Sequence, residues 1–213
     1  MSSKIHPSEI PAEEGGAPIR DKFIEWTIWK KSSISFAGSD GFSVYDNKGQ
    51  LSFRVDNYSR RSKYLVGELL LMDAVGKPLI SLRPQILSTH GQWKGYSADG
   101  DNNSNAKCKP LIFTMRRRKS FSLKKNHDAV EVFMHGGGRG VVMAADFRIE
   151  GCFKKRCLKI NGTDGVVLAQ ISPKRANPSV VLGDDVFRLS VKEGTTVSAE
   201  MITAFIIVMD RIC

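Results

Sequence analysis

The sequence predicts an all-β fold with one helix: a closed antiparallel barrel of about twelve strands around a buried hydrophobic C-terminal helix. Three observations predict it. Apolar and polar residues alternate in short runs, residues typical of tight turns separate those runs, and the C-terminal segment is apolar on every side of a helix. About a dozen short strands with close turns fit a closed barrel or a sandwich. The barrel is favoured because its closure would remove the exposed edges of the sheet, and the helix would fill a lumen too wide for side chains alone.

The strands are predicted from an apolar period of two, which buries one face and leaves the other in water. This period is clear over residues 24–28, 51–55 and 130–134. Gly, Asp and Asn, which favour tight turns, cluster between the runs. The predicted turns lie at residues 38–41, 46–49, 73–76, 99–100 and 161–165.

The C-terminal residues 197–212 predict a helix that is surrounded by protein, because its apolar residues cover all of its sides. A strand and a membrane anchor are the alternatives. A strand of ~16 residues would be long, and the unbroken apolar run is far short of the ~20 residues that span a bilayer. Thr195 or Thr196 is expected to cap the helix. The side chains predicted to fill the barrel are Met201, Phe205, Ile206, Val208 and Met209.

The domain organisation predicted for the 213 residues is a flexible leader over residues 1–20 and a single barrel domain over residues 21–213. The leader is rich in Pro and Gly and lacks apolar periodicity. Apolar residues make up 41% of the chain and charged residues 25%, which excludes collagen-like and wholly disordered chains. No apolar run of signal-peptide length is present near the start, so we expect a cytoplasmic protein, with a peripheral membrane or nuclear location as alternatives.

Motifs for catalysis or cofactor binding are absent from the sequence. The four cysteines and four histidines are scattered without the spacing of a zinc site, so we expect no metal, no cofactor and reduced thiols. There is no G-x-S-x-G or H-E-x-x-H motif, and the glycine-rich residues 136–140 lack the phosphate-loop spacing. We therefore expect a protein that is not an enzyme.

Positive charge is concentrated in one stretch, residues 107–125, which we call the basic segment. The chain has a net charge of +10, and the basic segment contains eight cations and no acid, so the other 194 residues carry only +2. A smaller basic island occupies residues 154–156. The residues predicted to bind an anion are Arg116, Arg117, Arg118, Lys119, Lys124 and Lys125.

Three interpretations of the basic segment are open. It is a solvated edge whose charges block strand pairing, a surface for the head groups of anionic phospholipids, or a site for nucleic acid or nuclear import. An acidic protein is a further partner that the same charge would attract. The expected partners are therefore an anionic phospholipid or an acidic protein, with nucleic acid ranked below them.

Several strings of the sequence resemble the plant LURP-one-related proteins. The resemblance lies in Trp26–Ser32, in FRVDNY at residues 53–58, in LMDAVGKPL at residues 71–79, and in the apolar C-terminal helix. Taken together it covers residues 23–212, almost the whole chain.

The resemblance implies a tubby-like fold, a twelve-stranded barrel around a central hydrophobic helix, with distant kinship to phospholipid scramblases. Tubby domains bind phosphoinositide head groups, and the family name implies a role in plant defence. No catalytic or ligand-binding residue comes with the family. The expected function is a non-enzymatic binding module of plant cells that engages anionic lipid through the basic segment. The alternative is a nuclear regulator or scaffold that contacts nucleic acid or acidic proteins.

Overall fold

The structure, a computed structural model, describes residues 22–31, 41–56, 68–85, 91–98, 109–118, 129–136 and 144–212. The predicted leader, residues 1–20, lies outside these ranges, as do residues 99–100 and most of the predicted turn 38–41.

Strands account for most of the described residues. The strands and the helix are β1 (Phe23–Lys31), β2 (Gly41–Tyr45), β3 (Leu51–Asp56), β4 (Leu69–Asp73), β5 (Pro78–Pro84), β6 (Trp93–Ser97), β7 (Leu111–Arg117), β8 (Val130–Met134), β9 (Phe147–Cys152), β10 (Cys157–Gly162), β11 (Val167–Pro173), β12 (Arg175–Asn177), β13 (Val180–Val181), β14 (Val186–Lys192) and α1 (Ala199–Ile212).

Twelve of these described strands close into one antiparallel barrel, which confirms the predicted fold class. From β1 to β11 each strand pairs with the next one along the chain, and β14 closes the barrel between β1 and β11. The strands β12 and β13 form a separate two-stranded hairpin on the connection between β11 and β14. The predicted strands at residues 24–28, 51–55 and 130–134 are β1, β3 and β8.

Two of the turns share one local design. In each, an aspartate Oδ1 accepts hydrogen bonds from the backbone N–H groups two and four residues later, at distances of 2.8–3.0 Å from Asp46 and Asp73. The glycines that follow, Gly49 and Gly76, have φ of 78° and 91°, a region that glycine enters without steric cost. The turns predicted from the D-x-x-G spacing are therefore confirmed.

Helix α1 fills the barrel. Its residues 202–210 are all buried, so every side of the helix is covered by protein. Among the predicted filling residues, Phe205, Val208 and Met209 are fully buried, Ile206 is 1% exposed, and Met201 is half-buried against the core. The alternative of a strand is therefore excluded. No helix in the described part of the chain has the length and apolar character needed to span a membrane.

The beginning of α1 differs from the prediction. The helix begins at Ala199, and the backbone N–H of Ile202 donates to the Ser198 carbonyl at 3.1 Å, so Ser198 precedes the first turn. Thr195 instead accepts a 3.3 Å hydrogen bond from the N–H of Val197 and orders the connection before the helix. The residue before the first turn, Ser198, therefore lies two to three positions after the threonines that were expected to cap the helix.

Aromatic rings join the helix to the wall. The Phe205 ring meets the Phe113 ring edge to face, with centroids 4.9 Å apart and planes at 89°, and lies 6.0 Å from the Phe147 ring. Phe113 on β7 pairs in register with Gly95 on β6. An added Cβ on Gly95 would overlap the Phe113 ring, so the glycine makes room for the ring that contacts the helix.

The change Gly95→Ala is expected to destabilise the protein by about 1–3 kcal/mol, because the new methyl group overpacks a filled core. Phe113 would have to leave its contact with Phe205. Chemical denaturation measures the loss. Gly183→Ala is the matched control, because a Cβ there meets open space. Equal stabilities for both variants would contradict the packing described.

Candidate anion-binding surface

Arg116, Arg117 and Arg118 lie at one end of the barrel, where β7 ends, and we call this end the Arg117 end. The backbone N–H of Arg118 donates to the Ala129 carbonyl at 2.9 Å, which extends the β7–β8 ladder by one step. All three arginines are exposed. The other predicted anion-binding residues lie outside the described ranges: Lys119, Lys124 and Lys125.

Glu131 is the acidic neighbour of these arginines. Opposite Arg116 in register on β8, it accepts hydrogen bonds from the Arg116 Nε and Nη2 at 3.2 and 3.1 Å, and its Oε1 is 3.9 Å from the Arg118 Nε. The Arg116 guanidinium also lies over the Phe133 ring, 4.4 Å from its centroid. One carboxylate therefore orders two guanidinium groups.

These ion pairs leave the arginines open to another anion. The Arg116 and Arg118 side chains are 53% and 55% exposed, and exposed ion pairs contribute only about 0–1 kcal/mol. One carboxylate between two guanidinium groups also leaves a positive balance. The Arg117 end can therefore present net positive charge to an external anion while Glu131, only 16% exposed, keeps its guanidinium partners.

Lys109, near the start of the basic segment, forms its ion pair with Glu68 and not with Glu131. Its Nζ is 3.4 Å from the Glu68 Oε1, and the Arg83 Nη2 is 2.9 Å from the Glu68 Oε2. The hydrogen bond from the Ser81 hydroxyl lowers the pKa of the Glu68 carboxyl most, burial opposes this, and Arg83 and Lys109 lower it further. Glu68 thus stays ionised at neutral pH and neutralises part of the charge near Lys109.

The basic island at residues 154–156 divides into two parts. It forms the β9–β10 turn, which lies at the Arg117 end because Val130 pairs with both Arg117 and Ile149. Lys154 and Lys155 are exposed in this turn and add positive charge beside the arginines.

Arg156 belongs to the core and not to the charged surface. It is 8% exposed, its guanidinium lies 4.4 Å from the centroids of the Phe153 and Phe187 rings, and its Nε donates to the Asp184 carbonyl at 2.8 Å. Its φ is 50°, in the left-handed region that residues other than glycine rarely enter. The sequence offered no signal that separates Arg156 from the two lysines before it.

A surface cleft of about 610 Å³ lies beside Arg116, on the outer wall formed by β8, β9 and β10. Its charged lining has both signs, with Arg116 and Arg148 against Glu131, Asp146 and Glu150. A mixed lining does not favour an anion, so the candidate anion-binding surface is restricted to the arginines and lysines at the Arg117 end. Within the described ranges no group of three or more His, Cys, Asp or Glu side chains is placed to hold a metal ion.

Comparison with known proteins places this barrel in a family. The sequence profile described as LURP-one-related matches residues 24–210. The Arabidopsis thaliana protein LURP-one-related 5 is 36% identical over 206 residues, which cover 93% of this chain and 90% of that protein. LURP-one-related 12 of the same plant is 33% identical, covering 85% of this chain and 75% of its own. LURP-one-related 8 is 30% identical, covering 98% and 97%.

A solved structure supports the same fold. The X-ray structure of an Arabidopsis thaliana protein aligns with a TM-score of 0.56 over 89% of this chain and 91% of its own. At 21% sequence identity this similarity shows the fold alone. The profile match runs from the second residue of β1 to the buried Asp210 of α1, so it includes every strand of the barrel. The chain belongs to the LURP-one-related family.

Proposed function

We propose that this LURP-one-related protein is a non-enzymatic binding module that attaches reversibly to anionic membrane lipid, phosphoinositide above all, through the basic segment. The observation that carries the proposal is the concentration of charge: eight cations and no acid in residues 107–125 of a chain with a net charge of +10. A basic segment that only kept the protein in solution would not need to contain nearly all of the net positive charge of the chain.

The energy that such a surface supplies is sufficient for reversible attachment. Each Lys or Arg close to an anionic leaflet contributes about 1 kcal/mol, so four to six of them contribute about 4–6 kcal/mol. A binding free energy of this size corresponds to a weak, reversible interaction, and added salt weakens the interaction further because it screens the charges. Lys154 and Lys155, exposed at the Arg117 end, would add to the contact.

A protein of this kind would work in the cytoplasm and at the inner membrane surface of plant cells. Its proposed process is defence signalling, which the family resemblance suggests. In this role the barrel is a rigid support. The exposed arginines bind by electrostatic attraction and catalyse no reaction. Glu131 would keep Arg116 and Arg118 extended and ready for a phosphate group.

Vesicle sedimentation tests the proposal. The full chain is expected to pellet with phosphatidylcholine vesicles that contain a phosphoinositide and to remain in solution with pure phosphatidylcholine. The triple variant Arg116→Gln, Arg117→Gln, Arg118→Gln removes about 3 kcal/mol, which weakens binding about a hundredfold. Raising the salt concentration is expected to release the wild-type protein.

A matched control removes the same charge from the other end of the barrel. Lys22, Lys48 and Lys77 are exposed there, before β1 and in the two D-x-x-G turns. Their triple change to Gln is expected to retain most of the binding. Equal binding to neutral and phosphoinositide vesicles, or equal losses in both triple variants, would overturn the proposal. A salt-sensitive shift of RNA or DNA without vesicle binding would also overturn it and favour the nuclear alternative.

A further inference from the structure

Two cysteines face each other across the β9–β10 hairpin. Cys152 ends β9 and Cys157 begins β10, and the two are direct partners in the antiparallel register. Both are free thiols. Only the four-residue turn 153–156 separates them along the chain. The sequence spacing excluded a zinc site but did not reveal this pairing, which depends on the register of the hairpin.

Both thiols lie on the outer wall of the barrel. On β10 the buried Leu158 and Ile160 point inward, so Cys157 and Lys159 point outward. Partners in register share one face of a sheet, so Cys152 projects on the same side. Cys157 is exposed and Cys152 is partly exposed. An oxidant in solution therefore has access to Cys157 first.

The backbone holds the two residues within reach of a covalent link. Directly opposed residues of an antiparallel pair have Cα atoms about 4.5–5.5 Å apart, inside the range of about 4.4–6.8 Å that disulfides span. Gly151 allows this close approach, since a Cβ there would overlap the carbonyl oxygen of Cys157, and its φ is 122°. The backbone spacing expected for this register therefore fits the span of a disulfide.

We propose that Cys152 and Cys157 form a redox modification site, at which a peroxide converts the two thiols into a cross-strand disulfide. The exposed Cys157 attacks one peroxide oxygen, its sulfur becomes a sulfenic acid, and the first water leaves. The Cys152 sulfur then attacks the Cys157 sulfur, the S–S bond forms, the S–O bond breaks, and the second water leaves. The two thiols lose two electrons and two protons in total, and the peroxide is reduced to two waters.

The sequence of the turn makes the test direct. Trypsin cleaves after Lys154, Lys155 and Arg156, so it separates Cys152, in the peptide of residues 149–154, from Cys157, in the peptide of residues 157–159. The reduced full chain is treated with hydrogen peroxide, its remaining thiols are blocked, and it is digested without reductant. Mass spectrometry is expected to find the two peptides joined, with two hydrogens lost, and dithiothreitol is expected to separate them.

Single variants identify the roles of the two sulfurs. In Cys152→Ser the joined peptides disappear and the Cys157 sulfenic acid persists, so dimedone labels it. In Cys108→Ser and Cys213→Ser, the matched controls, the joined peptides form as in the wild type. The proposal is overturned if the folded wild-type chain yields dimedone adducts or sulfinic acid at Cys157 without the joined peptides. It is equally overturned if Cys152 or Cys157 links mainly to Cys108 or Cys213.

Discussion

Replacing Phe205 with aspartate is expected to abolish the folded state. Phe205 is 0% exposed and its ring packs edge to face on Phe113. Loss of the ring alone costs about 3–5 kcal/mol, and a carboxylate in this apolar interior adds a desolvation penalty of several kcal/mol. Since a domain of this kind is stable by about 5–15 kcal/mol, Phe205→Asp removes most or all of the stability.

Thermal melting followed by circular dichroism measures this outcome. Phe205→Leu, which keeps an apolar side chain, is expected to melt cooperatively at a reduced temperature. Val75→Asp places the same charge in a turn where the side chain is 88% exposed, and it is expected to stay within about 0.5 kcal/mol of the wild type. Cooperative melting of Phe205→Asp near the wild-type temperature would show that the helix is not enclosed.

The second large effect is expected from Asp210→Ala. In the sequence, Asp210 marked the polar boundary of the apolar run, but the structure buries it at the end of α1 that points to the Arg117 end. Its Oδ1 is 2.7 Å from the Lys30 Nζ, and the two side chains are 3% and 14% exposed. A negative charge in the last turn of a helix is unfavourable to the helix dipole, and the Lys30 ammonium compensates for it.

Removal of one partner from a buried ion pair costs about 3–5 kcal/mol, because the other charge stays in a poorly hydrated place. Chemical denaturation of Asp210→Ala is expected to show a loss of this size. The double variant Lys30→Met, Asp210→Leu is expected to regain most of it. The control is the exposed pair of Arg188 and Glu25, at 3.1 Å, where Glu25→Ala is expected to cost about 0–1 kcal/mol. Equal losses in Asp210→Ala and Glu25→Ala would contradict this assignment.

Local patterns predicted most of the fold. The alternation at residues 130–134 gives β8 with the predicted bounds, because both of its inward valines are fully buried. The one departure from the period is the outward Phe133, which is also buried, under the Arg116 guanidinium. The helix was predicted because its apolar residues cover every side of a helix, and the structure buries the nine consecutive residues 202–210 accordingly. The residues just before the apolar run, Ser198, Ala199 and Glu200, carry a weaker signal, so the predicted start at residue 197 was two residues early.

Long-range placements could not be predicted in this way. The position of β14 between β1 and β11 depends on the closure of the whole barrel and not on a local pattern. Glu131 is opposite Arg116 only because of the register between β7 and β8, which no local pattern fixes. Arg156 differs from Lys154 and Lys155 because two aromatic rings, one of them on β14, enclose its guanidinium. Each of these features depends on which elements meet and in what register, and an apolar period within one element does not show that.

The barrel thus separates two kinds of charged residue at the Arg117 end. Lys30 and Arg156 are buried and complete the core. The exposed cations at this end include Arg116, Arg117, Arg118, Lys154 and Lys155. The proposed lipid surface consists of these together with the predicted Lys119, Lys124 and Lys125. The sequence alone does not separate these two kinds, whereas burial shows which of them an external anion can reach.

Enclosure of α1 by the strands is the feature on which the other inferences depend, and amide hydrogen exchange of the native protein tests it. The amides of residues 202–209 are expected to exchange only through global unfolding, as slowly as those of β7 and β14. The exposed β12–β13 hairpin serves as the fast reference within the same sample. Exchange of the helix amides at the rate of that hairpin would show that α1 lies outside the barrel, and would contradict the architecture described above.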